Sequence, residues 1–427
     1  MKIEQLHSLF LECKGISTDT RKVSNGNMFF ALKGDNFNGN TFAQKALDIG
    51  AKYVVIDEVE FKTSDKTILV DNVLETLQAL ASHHRMYLNI PIIALTGSNG
   101  KTTTKELINT VLLKKYKTTA TIGNLNNHIG VPLTLLSMTS STQIGIVEMG
   151  ANHVKEIEFL CNIAKPDYGY ITNFGKAHLE GFGSAQGVIN GKSELYTYLT
   201  KSNKHIFLNA DDTIQKEKLN TYIKKFGFSQ TDSNYYKIEF TEANPFVSFK
   251  IEDTLINSQL IGKYNFTNLC AASIIGKYFN IDLKDIKNAL ENYTPSNNRS
   301  QIIEKGSNKI ILDAYNANPT SMKAALENFS DLKDEKKIAF LGDMFELGDS
   351  AKQEHQAISN LSTNLNIDVV YLIGDNFFQI ENNATKVNQY ASFNILKENF
   401  NSIDIKNATL LIKGSRGMAL ERILDLL

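Results

Sequence analysis

One stretch constrains this chain more than any other: Ile92-Ile93-Ala94-Leu95-Thr96-Gly97-Ser98-Asn99-Gly100-Lys101-Thr102-Thr103-Thr104. A short apolar run bounded by Pro91 predicts a buried strand. A glycine-containing loop follows, and then a helical pattern with Leu107, Ile108, Val111 and Leu112 on one face. Strand, glycine loop and helix N-terminus in that order make an anion cradle. Backbone N–H groups point inward, the helix dipole adds positive potential, and Lys101 brings a mobile cation. Thr102 stands where a hydroxyl would hold Mg²⁺. Such an order requires an α/β sheet with its chemistry at the carboxyl ends of parallel strands.

The loop is shorter than the phosphate loop of most nucleotide hydrolases, which places a glycine five residues before its Gly-Lys. That position here is Leu95. A generic kinase or GTPase is therefore disfavoured. At 427 residues the chain is too long for one core, so two or three domains are expected. Its formal net charge of −1 gives no electrostatic footprint for nucleic acid or an acidic membrane, so any anionic ligand must be held by local groups. No apolar run approaches the roughly 20 residues a membrane span needs, and Met1-Lys2-Ile3-Glu4 does not open a signal peptide. Cys13, Cys161 and Cys270 are few and far apart, and read as reduced thiols of a cytoplasmic chain. Only five arginines occur. Three of them, Arg21, Arg299 and Arg416, fall inside polar motifs where a planar fork for phosphate or carboxylate is useful.

Taken in order, residues 1–88 carry the hydroxyl-rich cluster Ser17-Thr18-Asp19-Thr20-Arg21, a β-like Met28–Leu32, and the turn Lys33-Gly34-Asp35. Those groups suit a pyrophosphate or a solvated loop equally. A helix from Val73 to Tyr87 leads to Asn89-Ile90-Pro91, a plausible boundary. After the phosphate loop, the Gly- and Asn-rich run from Thr119 to Pro132, with Asn124 and Asn127, reads as one shaped loop. Ile144–Glu148 is a strand ending in a carboxylate, placed either to bind Mg²⁺ or to face solvent. His178 follows the strand Tyr168–Ile171; on spacing alone it is a metal ligand or an ordinary satisfied histidine. Lys192 lies in a helical segment. Residues 220–260 read as short antiparallel strands, and Gly262–Ala272 opens a helix with Asn265 and Asn268 on one face. Beyond the polar linker Thr294–Asn298, repeated strand-then-turn units end in Asp313-Ala314-Tyr315-Asn316-Ala317-Asn318-Pro319, in Gly342–Gly348, and in Lys413-Gly414-Ser415-Arg416. Lys413, Ser415 and Arg416 form a compact group suited to a carboxylate.

These motifs, in this order, resemble the Mur ligase family of ATP-dependent amide-forming enzymes of peptidoglycan synthesis, and within it the dipeptide-adding branch. The resemblance rests on Gly97–Thr103, Gly123-Asn124-Leu125-Asn126-Asn127-His128-Ile129-Gly130-Val131-Pro132, Asp313–Pro319 and Gly342-Asp343-Met344-Phe345-Glu346-Leu347-Gly348. It implies a three-domain α/β architecture: residues 1–88 for the UDP-sugar, a central P-loop-type ATPase domain at 89–296, and a Rossmann-like domain at 297–427 that closes on ATP and the dipeptide. It implies ligation of D-alanyl-D-alanine to a UDP-N-acetylmuramoyl-tripeptide through an acyl phosphate. The third residue of that tripeptide stays open between lysine and a diaminopimelate.

By the same resemblance Ser17, Asp19, Arg21, Lys33 and Gly34 hold the UDP-sugar, and Gly97, Ser98, Asn99, Gly100, Lys101, Thr102, Thr103, Asn268, Arg299 and Asp313 hold ATP. Thr102, Glu148, His178 and Lys192 hold two Mg²⁺ ions, with Lys192 as a carbamate, and Lys101 joins the last three as catalytic. Asn124, Asn127, Tyr315, Asn316, Asn318, Lys413, Ser415 and Arg416 serve the dipeptide or the closure. Tyr264 stands where relatives carry histidine. The implied enzyme is a cytoplasmic monomer with no nucleic-acid partner and no membrane insertion. Rival readings are a sister amino-acid-adding ligase, a folylpolyglutamate synthase, or a nucleotide switch that ligates nothing.

Overall fold

The strand Ile92–Thr96 is apolar on both faces because both faces are covered. It lies in a mixed sheet between Ile144–Glu148 and Tyr168–Ile171, parallel to each. Thr118–Ala120 forms the edge beyond Ile144–Glu148. On the other side His205–Asn209, Lys225–Ser229 and Tyr236–Ala243 add in parallel, and Phe246–Ile251 and Thr254–Ile261 complete an antiparallel meander. The molecule is seen here as a computed structural model that describes residues 1–295 and 298–427.

The helix Lys101–Leu112 buries Leu107, Ile108, Val111 and Leu112, the face its sequence spacing predicts. It packs with Phe266–Tyr278, a helix apolar nearly all round, over one face of the sheet. On the opposite face Ala185–Lys201, Glu156–Ala164 and Val73–Leu88 share a core with the sheet. Asn72 starts that last helix by accepting the Glu75 N–H at 3.0 Å, and Asn89 ends it with a left-handed φ of 47°.

A smaller parallel sheet precedes this unit, in the order Ile16–Ser17, Met28–Phe30, Tyr53–Ile56, Thr67–Leu69. Another sheet follows it. There Gln301–Lys305 is an antiparallel edge on Asn308–Asp313, after which Thr409–Lys413, Lys337–Gly342, Val369–Ile373 and Val387–Tyr390 run parallel. Three α/β units in series are the architecture the motifs implied. No helix among the described residues is long and apolar enough to cross a membrane. Cys161 and Cys270 are buried free thiols, and burial pushes the half-buried Cys13 thiol up to about 11.

Two sequence expectations need correction. The run from Thr119 to Pro132 is not one loop: Thr119 and Ala120 belong to an edge strand, and Gly130–Leu136 is a helix. Pro132 is tolerated there because a helix leaves its first N–H groups unbonded anyway. Between 220 and 260 the strands are not all antiparallel, since Lys225–Ser229 pairs in parallel with His205–Asn209 and with Tyr236–Ala243. The boundary expected at 296, and part of the Thr294–Asn298 linker, lie outside the described residues.

Candidate active site

The phosphate loop is laced to the neighbouring strand end. Ser98 N–H donates to the Asn173 carbonyl at 3.1 Å, and Asn99 N–H donates to Asn173 Oδ1 at 3.1 Å. The Asn99 carbonyl accepts from Thr172 Oγ1 at 2.6 Å and from Asn173 Nδ2 at 3.0 Å. Ser98 Oγ donates to the Gly175 carbonyl at 2.7 Å. Two glycines make this path possible. A Cβ on Gly97, at φ +142°, would fall 2.0 Å from Thr172 Oγ1, and one on Gly100, at φ +79°, would fall 2.7 Å from Asn268 Oδ1. Beyond the loop the amides of Lys101, Thr102 and Thr103 open the helix, where no carbonyl of that helix can accept them.

Lys101 curls over its own loop, with Nζ 2.7 Å from the Gly97 carbonyl and 3.3 Å from that of Ser98. Burial lowers its pKa, the nearby Glu148 charge opposes that, and Arg299 adds to it. Glu148 ends its strand almost fully buried, at 1% exposure. Its Oε1 accepts from Asn126 Nδ2 at 2.8 Å and from Thr102 Oγ1 at 3.3 Å, whereas Oε2 is buried without a partner among the described residues. A buried carboxylate oxygen left in that state is costly unless a cation joins it. With the Thr102 hydroxyl beside it, this donor set fits Mg²⁺, which takes few protein ligands and completes its shell with water and phosphate.

Across the cleft, Arg299 stacks its guanidinium 3.7 Å from the centre of the Tyr315 ring, and its buried Nε has no partner among the described residues. Asp313 and Lys413 end paired strands and meet at 2.6 Å. Asp313 also accepts the Ser300 N–H at 3.2 Å. Asn318 caps the helix Pro319–Asp331 and exchanges amide hydrogen bonds with Asn99: 2.7 Å from Asn318 Nδ2 to Asn99 Oδ1, and 3.4 Å in the reverse sense. A cleft of ≈ 610 Å³ opens between these groups. Its walls include Ser98–Thr103, Glu148, His178, Asn268, Arg299, Asp313, Tyr315, Asn316, Asn318 and Lys413, as well as Asn124 and Asn127.

Several expected residues stand elsewhere. Lys192 is fully buried but does not line the cleft. Its Nζ donates to the Ala151 carbonyl at 2.8 Å and lies 5.0 Å from the centre of the Phe182 ring. Burial, helped by the Lys101 charge, holds its pKa well below the ordinary lysine value. His178 lines the cleft, yet its Nδ1 bonds Glu346, whose carboxyl that bond holds below the usual range.

The triplet Lys413, Ser415, Arg416 does not act as one group. Lys413 faces the cleft and Ser415 Oγ is used internally, accepting the Phe345 N–H at 2.9 Å. Arg416 is exposed and pairs with Glu421 at 2.7 Å. The reason is local: the strand ends at Lys413, and the chain turns between it and Arg416. Ser17, Asp19, Arg21, Lys33 and Gly34 all lie outside the cleft walls, in the first unit. There Arg21 pairs with Asp19 at 2.8 Å, and Lys33 with Asp57 at 2.9 Å and Glu58 at 3.0 Å. Asn268 is committed beneath the loop, accepting from Thr104 Oγ1 at 3.0 Å and donating to Asn265 Oδ1 at 2.9 Å.

Sequence reasoning missed Asn126 as the partner of Glu148, although it sits in a run singled out for its amides. It also missed Lys105, one helical turn past Lys101, whose buried Nζ holds the Thr121 carbonyl at 2.6 Å. The i, i+4 spacing from Lys101 was the available signal. Tyr264 lines the cleft and its hydroxyl meets Ser300 Oγ at 2.7 Å, a tie between two units that an imidazole would make differently.

Comparison with known proteins places this geometry. Residues 12–85 match the Mur ligase family catalytic domain, 95–276 the Mur ligase middle domain, and 298–416 the Mur ligase glutamate ligase domain. The chain belongs to the Mur ligase family. A UDP-N-acetylmuramoyl-tripeptide–D-alanyl-D-alanine ligase of Bacillus subtilis is 35% identical over 96% of this chain and 92% of its own length. The Escherichia coli ligase of the same name is 31% identical over 98% and 94%. A crystal structure of MurF from Acinetobacter baumannii superposes with a TM-score of 0.87 at 27% identity, covering 99% of this chain and 98% of that one. MurF from Thermotoga maritima in complex with ADP gives 0.83 at 26% identity, covering 98% and 97%. Within the family, then, the chain is of the MurF type.

Proposed function

We propose that this protein is an ATP-dependent ligase that joins D-alanyl-D-alanine to a UDP-N-acetylmuramoyl-tripeptide, releasing ADP and phosphate. One observation carries the reading. Two buried groups of opposite character, Glu148 Oε2 and Arg299 Nε, have no hydrogen-bond partner among the described residues and stand in the cleft that also holds the phosphate loop. A nucleotide phosphate chain with its cation answers both at once. The MurF of Thermotoga maritima solved with ADP supports nucleotide use by a chain of this fold.

The first step meets a charge problem, since a carboxylate oxygen must approach an anionic γ-phosphoryl group. Lys101, the amides of Lys101–Thr103 and Arg299 surround the place where that negative charge accumulates. Thr102, Glu148, His178 and Lys192 as a carbamate would between them hold two Mg²⁺ ions. When bound, the metal supplies positive charge to the phosphate oxygens. The carboxylate oxygen bonds to the γ-phosphorus as the bridging P–O bond breaks, its electron pair leaving with ADP. The free amine of the dipeptide then adds to the acyl carbon and loses a proton as the C–O bond breaks and phosphate departs.

In this reading Lys413 and Asn316 bind the dipeptide carboxylate, and Tyr315 and Asn318 serve the closure over it. In the same reading Ser17, Asp19, Arg21, Lys33 and Gly34 bind the UDP-sugar end, in a domain of residues 1–88 ahead of 89–296 and 297–427. The working form is a cytoplasmic monomer. Phosphate release measured with and without D-alanyl-D-alanine, with mass detection of product from lysine- and diaminopimelate-containing tripeptides, tests the assignment. Release indifferent to the dipeptide, with no product mass, would leave a nucleotide switch instead.

A further inference from the structure

His178 and Glu346 come from different units and meet side chain to side chain. Both are non-glycine residues in the left-handed region, at φ 53° and φ 60°. Bulky side chains hold that conformation only where the surroundings impose it, and such residues gather at functional sites. The surroundings here are plain. Glu180 N–H donates to the Glu346 carbonyl at 3.2 Å, Lys176 N–H donates to Thr320 Oγ1 at 2.9 Å, and Lys176 Nζ meets Glu354 at 2.6 Å. On the other side the loop bearing Glu346 is pinned by Met344 N–H to His355 Nε2 at 3.0 Å and by Phe345 N–H to Ser415 Oγ at 2.9 Å. Glu346 is thus a half-exposed carboxylate on a rigid loop, aimed at one nitrogen of a ring that lines the cleft. A side-chain contact this exposed adds little to stability, so its geometry needs another purpose.

We propose that Glu346 is a positioning residue for His178: across the boundary between the two units it accepts the Nδ1 proton, fixing the tautomer in which Nε2 carries the free lone pair. A metal-binding imidazole is oriented in this way by a carboxylate on its other nitrogen. Because the carboxylate belongs to the C-terminal unit, the ring is set for ligation only when that unit is docked. The proposal rests on the reading of His178 as a ligand, but its first test does not.

With ¹⁵N-labelled histidine, long-range ¹H–¹⁵N correlation reads the tautomer of each ring, and His178 is assigned by the signal lost in His178→Gln. The protein with Glu346 should show His178 protonated at Nδ1. Glu346→Gln, whose Oε1 still accepts, should keep that state. Glu346→Leu should move the ring toward the Nε2–H form. In ligation assays Glu346→Leu should lower kcat about 10- to 100-fold, the usual effect of losing such a partner. Glu346→Gln should recover most of it, with equal thermal midpoints for the two variants. An unchanged tautomer in Glu346→Leu, or equal activity losses in both variants, overturns the proposal. Full turnover in His178→Gln would instead remove His178 from the site while leaving the tautomer result standing.

Discussion

Replacing Gly97 by alanine tests the packing that shapes the phosphate loop. The new Cβ would sit 2.0 Å from Thr172 Oγ1, 3.0 Å from Thr172 N and 3.1 Å from Asn173 N, at a φ of +142°. Backbone strain of that kind costs about 1–3 kcal/mol, and forcing an atom into a packed site costs about 1–3 kcal/mol more. The sum, about 2–6 kcal/mol, is a large share of the ~5–15 kcal/mol that holds a typical domain together. For a unit of this size it corresponds to a fall in melting temperature of roughly 4–24 °C. Differential scanning calorimetry reads the shift, and a fluorescent ATP analogue reads the loop. Thr172→Ala provides the control. It removes the nearest obstructing atom and one hydrogen bond to the Asn99 carbonyl, which keeps its bond from Asn173 at 3.0 Å. In the double variant the overlap with the hydroxyl should disappear, while the strain and the close backbone contacts remain, a coupling of about 1–3 kcal/mol. Should Gly97→Ala melt and bind nucleotide like the parent, or the two substitutions simply add, the argument from close approach is wrong.

Other consequences can be checked more briefly. Lys101→Ala or Glu148→Ala should lower dipeptide-dependent phosphate release at least 100-fold while leaving far-UV circular dichroism intact; near-normal turnover would remove that residue from the mechanism. Asn318→Ala breaks the amide exchange with Asn99 and the cap of its own helix, so it should cost about 1–2 kcal/mol and raise KM for ATP, both readable in one preparation. His7 is buried with its Nε2 3.0 Å from His84 Nδ1, and burial first, then the His84 charge, lowers its pKa to about 4. The unfolded chain then binds more protons than the folded one between pH 6.5 and 4, so stability is full above that window and falls as pH drops through it, by up to about 3 kcal/mol. His7→Phe should flatten the acid side of a melting-temperature profile.

The sequence made the phosphate loop legible because its demands are local. A strand, two glycines and a helix start are written in consecutive residues, and so is the apolar face of Lys101–Leu112. Strand-end residues such as Glu148 and Asp313 were readable for the same reason, since a parallel sheet puts its strand ends on one edge. What could not be read was which partner each group would choose. Asn126 reaches Glu148 only because the backbone closes on itself, with Gly150 N–H bonded to the Asn126 carbonyl at 2.8 Å. Glu346 reaches His178 from 168 residues away. Lys413 and Arg416 look like neighbours in sequence, but the turn between them sends one charge into the cleft and the other to solvent. The edge strand Thr118–Ala120 was hidden because pairing with Ile144–Glu148 outweighs its weak local pattern.

Those long-range choices divide the work of the cleft in a consistent way. Shape comes mostly from within the central unit, where Thr172, Asn173 and Gly175 hold the loop at Ser98 and Asn99. Charge comes from both sides of the cleft: Lys101 and Glu148 from one, Arg299, Asp313 and Lys413 from the other. A chain with a net charge of −1 has no general field to draw phosphates in. It must therefore assemble positive potential locally, and two of the three cations in that assembly lie in the C-terminal unit. A central unit expressed alone would keep its loop but lose Arg299 and Lys413, so nucleotide binding should weaken far more than folding does.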